Sequence, residues 1–272
     1  MRQSLGEDVN VNEPNDPWQE SLPESGQPAH EIHDPLVVRR AAMLTAGIGL
    51  VHALLLMAGA FVLKTQTPGV AASDEELIAF YQDPEQRRIA VAAGLYLIPF
   101  AGIAFVWFFV ALRMWISVSA PRASVMLSNV QLVSGIIYTT LILAAGGAMS
   151  VPAVTVDLSK EAFDPLLARQ LPQYGASLLL VFAMRMAAMF VLTTTNLGRL
   201  SGILPKWFIW IGFVMAAGLL LTASFSSWLV FVFPAWVLAF CAVLINRARK
   251  ISRDLVVSEP GELVQLQRAA RS

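Results

Sequence analysis

Apolar and polar positions are sharply segregated along this chain. Six predominantly apolar runs, at about 41–63, 89–112, 125–147, 176–197, 207–225 and 228–246, alternate with stretches that hold nearly all the charge. Crossing about 30 Å of hydrocarbon at 1.5 Å per residue takes roughly 20 residues, which each run supplies. Inside a bilayer every backbone N–H and C=O must be satisfied within its own segment, so the runs are expected to be helices. The pattern predicts an all-α fold: a six-helix transmembrane bundle over residues 36–253, with a disordered N-terminal tail. Pro99 and Pro234 fall inside the second and sixth runs, where each removes a backbone donor and is expected to kink its helix.

The segments outside these runs read differently. Residues 1–35 hold eight acidic residues and five prolines against one basic residue, Arg2, with little to bury. They predict a disordered acidic cytoplasmic tail. Residues 254–272 read as a second cytoplasmic tail. No basic start leads directly into the first apolar run, so that run reads as a retained helix and not as a cleaved signal. Between the first two runs, Ser73-Asp74-Glu75-Glu76 has the spacing of a capping box, followed by apolar Leu77, Ile78, Phe80 and Tyr81. A short loop helix is expected there, ended by Asp83-Pro84. The loop 148–175 carries Asp157 and Glu161 four apart and then Leu166, Leu167 and Leu171, and is expected to rest on the helix ends.

Charge then sets an orientation. With the N-terminus inside, the cytoplasmic flanks hold ten Lys and Arg residues and the outer flanks five, namely Lys64, Arg87, Arg88, Lys160 and Arg169. This asymmetry predicts both termini in the cytoplasm and a multi-pass protein of the cell membrane. Trp115, Trp207 and Trp210 are expected at the inner interface and Trp228 at the outer. Only 14% of residues are charged, net charge is zero and pI is near 6.8, so no basic field points to nucleic acid.

Candidate chemistry is sparse. No Asp, Glu or Lys lies in any run; His52 and Arg185 do, both near the midplane of theirs. An intramembrane ionisable residue is a functional candidate by default. About seven apolar residues flank Arg185 on each side, roughly 10 Å of helix, which leaves its side chain far from either interface. Its partners are therefore expected among hydroxyls, amides, kinked backbone, water or a bound anion. The third run aligns Ser128, Gln131, Gly135 and Tyr138 on one face, and the first aligns Thr45, Gly49, His52 and Gly59. These features predict one polar core of His52, Tyr138 and Arg185, opening toward the cytoplasm through Gln131 and Asn196. Beside this ligand-binding reading stands a structural one, in which His52, Tyr138 and Gln131 bond across helix interfaces and Arg185 is a strut.

Enzyme chemistry finds no support: HExxH, GxSxG, the P-loop and the dinucleotide fingerprint are all missing. The lone Cys241 excludes an intrachain disulfide, and His30 and His33 make too weak a pair for a metal. No catalytic residue, metal site or cofactor is expected. The sequence thus predicts a non-enzymatic polytopic protein binding a lipid, a quinone or an anionic ligand, or a partner subunit or second copy, within the bilayer. A small transporter of an anionic or lipidic compound is the alternative, and a haem or quinone redox protein using His52 a weaker one.

Several stretches resemble a pattern found in uncharacterised multi-pass membrane proteins of actinobacteria. They are Phe80-Tyr81 through Arg87-Arg88 into Leu112-Arg113, Arg185 to Thr195, Gly202-Ile203-Leu204-Pro205-Lys206-Trp207, and Phe233-Pro234-Ala235-Trp236-Val237-Leu238. The resemblance covers roughly residues 36–250. It implies the six-span topology and no activity.

Overall fold

The structure is a computed structural model that describes residues 35–69, 71–119, 124–159, 164–221 and 227–269. The expected disordered tail lies outside these residues except for Pro35. Every regular element among the described residues is helical: α1 (Pro35–Gln66), α2 (Asp74–Gln82), α3 (Pro84–Val91), α4 (Ile98–Ser119), α5 (Val125–Ser159), α6 (Pro165–Ser177), α7 (Met184–Leu200), α8 (Lys206–Leu221) and α9 (Val232–Ala269). Two π-helical turns, Ala92–Leu97 and Leu178–Ala183, join α3 to α4 and α6 to α7. The result is five helical segments long and apolar enough to cross a membrane: Val38–Gln66, Pro84–Ser117, Val125–Leu158, Pro165–Leu200 and Trp228–Lys250.

Six such segments were expected, and the fifth expected run is the exception. Its helix, Lys206–Leu221, has 16 residues, which at 1.5 Å each is about 24 Å and short of a full hydrocarbon core. Residues 222–226 lie outside the description. The other boundaries shift outward. The region 148–175, expected as a loop, is mostly a continuation of α5 to Ser159 and the start of α6 at Pro165, while Glu161 is not described. The expected C-terminal tail lies on α9, which runs to Ala269.

Proline and glycine account for much of the local geometry. Pro99 sits at the second position of α4, directly after a π turn, where the i→i−4 ladder is already interrupted. Pro234 is the third residue of α9, after a 3₁₀ turn at Ser227–Phe231, so its missing N–H falls in the first turn, where an N–H has no α-helical acceptor. It starts a helix and does not kink one.

Packing is sequential at first: α1 lies against α4 and α9, α4 against α5, α5 against α6 and α7, and α7 against α8. Large apolar side chains such as Leu44, Phe100, Trp107, Val214 and Trp210 are exposed on the outside of these helices, as a lipid environment requires. Trp115, expected at the inner interface, is instead buried inside the bundle.

At one end of the bundle, α2 and α3 form a cap. The capping box is present, with the Glu76 N–H donating to Ser73 Oγ at 3.2 Å and the Ser73 N–H to Glu76 Oε2 at 3.0 Å. Leu77, Phe80 and Tyr81 bury against Ala90, Ala153 and Ala168, which fixes the cap to α5 and α6. Two ion pairs reinforce it: Arg87 Nε to Asp157 Oδ1 at 2.7 Å, and Arg169 Nη2 to Asp74 Oδ1 at 2.6 Å. Exposed pairs of this kind contribute about 0–1 kcal/mol each, so the apolar patch does most of the holding.

Candidate functional site

The expected polar core separates into three places. The first is a buried aromatic cage. The His52 ring lies 4.7 Å from that of Phe105, 6.2 Å from Tyr138 and 6.1 Å from Phe233. His52 faces inward with Thr45, both fully buried, because the small residues on that face let other helices close in. A Cβ at Gly49 would stand 2.7 Å from Cys241 Sγ and from the Phe108 ring. His52 Nδ1–H donates to the Ala101 carbonyl at 2.8 Å, which makes Nε2 the lone-pair nitrogen. Nε2 and the Tyr138 hydroxyl are both buried without a hydrogen-bond partner in the structure.

The second place is a bridge between α5 and α7. Gln131 Nε2 donates to Thr194 Oγ1 at 2.7 Å, and both side chains are buried. This is interhelical bonding of the kind that ties membrane helices together. Asn196 stands two residues further along α7, its Oδ1 buried and without a hydrogen-bond partner.

Arg185 occupies the third. It is half-buried, and its Nη1 donates to the Val181 carbonyl at 2.9 Å. Val181 belongs to the π turn Leu178–Ala183, whose backbone bonding departs from the α-helical ladder. The arginine thus serves its own helix. None of the hydrogen bonds described for it reaches His52, Tyr138 or Gln131. Two terms set the effect of Arg185→Leu. Losing a charge-assisted hydrogen bond costs about 1.5–3 kcal/mol, while removing a cation from mid-membrane returns about 2.5–3.5 kcal/mol. They nearly cancel, so the Leu variant is expected to unfold within about 1 kcal/mol of the wild type. A loss above about 3 kcal/mol in thermal unfolding would reveal a further partner for the guanidinium.

Sequence patterning passed over a fourth place, a cavity of about 240 Å³ at the capped end. Residues of both α1 and α6 line it. Ala60 and Leu63 of α1, Leu77 of α2, Ala176 of α6, Leu179 and Leu180 of the π turn, and Val230 give it apolar walls. Lys64, Thr67, Tyr81, Arg169 and Gln173 supply the polar part of its lining. Lys64 Nζ lies 3.5 Å over the Trp228 ring, and Arg169 holds Asp74 as described above. Burial pushes the Tyr81 phenol up to about 12, so at neutral pH it lines the wall as an uncharged hydroxyl. Gly175 keeps α6 tight on α5 behind this cavity, since a Cβ there would lie 2.7 Å from the Ala145 carbonyl oxygen. The one signal in the sequence was charge: Lys64 and Arg169 are among the few basic residues that run against the positive-inside asymmetry.

Chemically the four places differ. The cage and the bridge are filled with protein and hold helices together, and Arg185 completes a backbone turn. Of these four places among the described residues, the capped-end cavity is the one that combines room, an apolar wall and basic side chains, the combination that holds an amphipathic molecule. Comparison of the chain with protein-family models, with curated proteins and with solved structures gives no match.

Proposed function

We propose that this chain is a non-enzymatic, six-crossing protein of the cell membrane, with both termini cytoplasmic, that binds a ligand in the capped-end cavity. In this reading α8 is the short sixth crossing, and the cavity faces the outside. The observation that carries it is the cavity itself: apolar side chains from α1, α6 and the π turn below, with Lys64 and Arg169 among its lining residues. The resemblance to actinobacterial multi-pass proteins and the ten basic residues on one set of flanks against five on the other support the topology. Binding is favoured over transport because the middle of the bundle is packed with Phe105, Phe108, Tyr138, Phe190 and Phe233, all fully buried.

Two measurements test this. Native mass spectrometry of the purified protein should show a retained small molecule, and Ala176→Trp, which fills the cavity from α6, should lose it while folding normally. An empty wild type, or full retention by the Trp variant, would remove the binding site from this cavity. For the topology, a cysteine at Thr67 is expected to react with an impermeant maleimide on intact cells, and one at Arg122 only after permeabilisation. The native Cys241 is buried and should stay silent. The opposite labelling pattern would invert the assignment.

A further inference from the structure

We propose that the end of the bundle opposite the cap binds the headgroup of an anionic phospholipid, seated at the turn between α7 and α8. Charge is divided between the two ends. Among the residues described between 35 and 250, every carboxylate lies at the capped end: on α2 and α3 or their caps, near the end of α5, or at the cap of α6. Both described ion pairs lie there too. The other end gathers cations. Arg199 is in the last turn of α7 and Lys206 opens α8. The Gly198 carbonyl accepts from the N–H groups of Ile203 at 3.0 Å and Leu204 at 3.2 Å, which draws the chain between them into a tight turn. Arg247 of α9 ties onto the same turn by donating from Nη1 to the Ile203 carbonyl, and Arg249 and Lys250 follow within one helical turn. α1 adds two more. Gly49 packs on Cys241 and the His52 ring on that of Phe233, so α1 and α9 run antiparallel. Nine residues from the Gly49–Cys241 contact on each helix, Arg40, beside Arg39, stands level with Lys250. All seven of these cations are exposed, and no ion pair is described for any of them. The next acidic residue along α9, Asp254, is offset by its neighbour Arg253. What selects a lipid over a soluble anion is the surface beside the charges, where Leu200, Trp207 and Trp210 are exposed and offer a wall to acyl chains. This site lies away from the capped-end cavity and does not depend on it.

The test uses the full chain in detergent micelles, titrated with phosphatidylglycerol or with phosphatidylcholine of the same chains. Native mass spectrometry counts the bound lipids. One basic residue beside an anionic lipid is worth about fivefold in affinity, so the first phosphatidylglycerol should bind at least about fivefold more tightly than phosphatidylcholine. Arg199→Gln combined with Lys206→Gln should erase that preference while phosphatidylcholine binding stays the same, which also shows that the variant is folded. Arg249→Gln combined with Lys250→Gln, on α9 alone, should weaken phosphatidylglycerol about fivefold or more, and reads the same site where the first pair does not fold. Arg88→Gln, an exposed cation at the capped end, should change nothing. Ala176→Trp should leave this lipid in place, so the two sites are read apart. Equal affinity for the two lipids would overturn the proposal. A preference that survives in both double variants would remove the site from this turn, and one lost in Arg88→Gln would move it to the capped end. Displacement of phosphatidylglycerol by an excess of glycerol phosphate, the headgroup chemistry without chains, would assign the surface to a soluble anion.

Discussion

Phe105→Ala is expected to destabilise the bundle by about 2–4 kcal/mol, measured by unfolding the purified protein in mild detergent. Phe105 is fully buried, and its ring centre lies 4.7 Å from His52, 4.8 Å from Tyr138, 5.1 Å from Phe190 and 5.6 Å from both Phe109 and Phe233. In water such a truncation costs about 3–5 kcal/mol, part of it for transfer out of solvent. Between membrane helices that part vanishes, because lipid is as apolar as the core. What remains is lost dispersion and the void, hence the lower range. The void would adjoin two polar atoms without hydrogen-bond partners, His52 Nε2 and the Tyr138 hydroxyl, so it is expected to take up water. A loss below about 1 kcal/mol would mean that the neighbouring rings collapse into the space, and that the cage is softer than its geometry implies.

Gly146→Val should be comparably damaging, at about 3 kcal/mol or more, and its neighbour supplies the control. A Cβ at Gly146 would lie 2.7 Å from the Gly94 carbonyl oxygen and 3.0 Å from Ile98 Cγ2. The first of these is backbone, in the π turn that joins α3 to α4, and it has no rotamer with which to step aside. The reciprocal approach is nearly as close: a Cβ at Gly94 would stand 3.0 Å from the Gly146 carbonyl oxygen. At Gly147 a Cβ meets nothing within 4 Å, so Gly147→Val is expected to fold and melt like the wild type. Equal behaviour of the two variants would show that the crossing is not set by this contact.

How far these features could be read from the sequence depends on the range of the interaction behind them. Apolar runs, the capping box at Ser73 and Glu76, and the inward face carrying Thr45 and His52 are local or periodic, and the structure shows all three. Arg185 required a partner that composition cannot reveal, because a π turn changes backbone bonding without changing residue type. The fifth run is described only to Leu221, as a 16-residue helix, so among the described residues it is shorter than the five that reach spanning length. Trp115 carries an interfacial residue type, but packing on its neighbours decides its place. The capped-end cavity was least legible of all, being assembled from helices distant in sequence, each giving one or two ordinary residues.

The segment Pro165–Leu200 has a further consequence, for the lipids. Its 36 residues make about 54 Å of helix, against about 30 Å of hydrocarbon. Even a tilt of about 40° leaves roughly 41 Å along the membrane normal, so tilt alone does not absorb the surplus. At the α6 end, where Arg169 meets Asp74 of the cap, the surplus helix is expected to stand among headgroups and the bilayer to thicken locally, at a fraction of a kcal/mol per Å of mismatch. The protein's distribution in the membrane plane would then follow the lengths of the lipid chains around it.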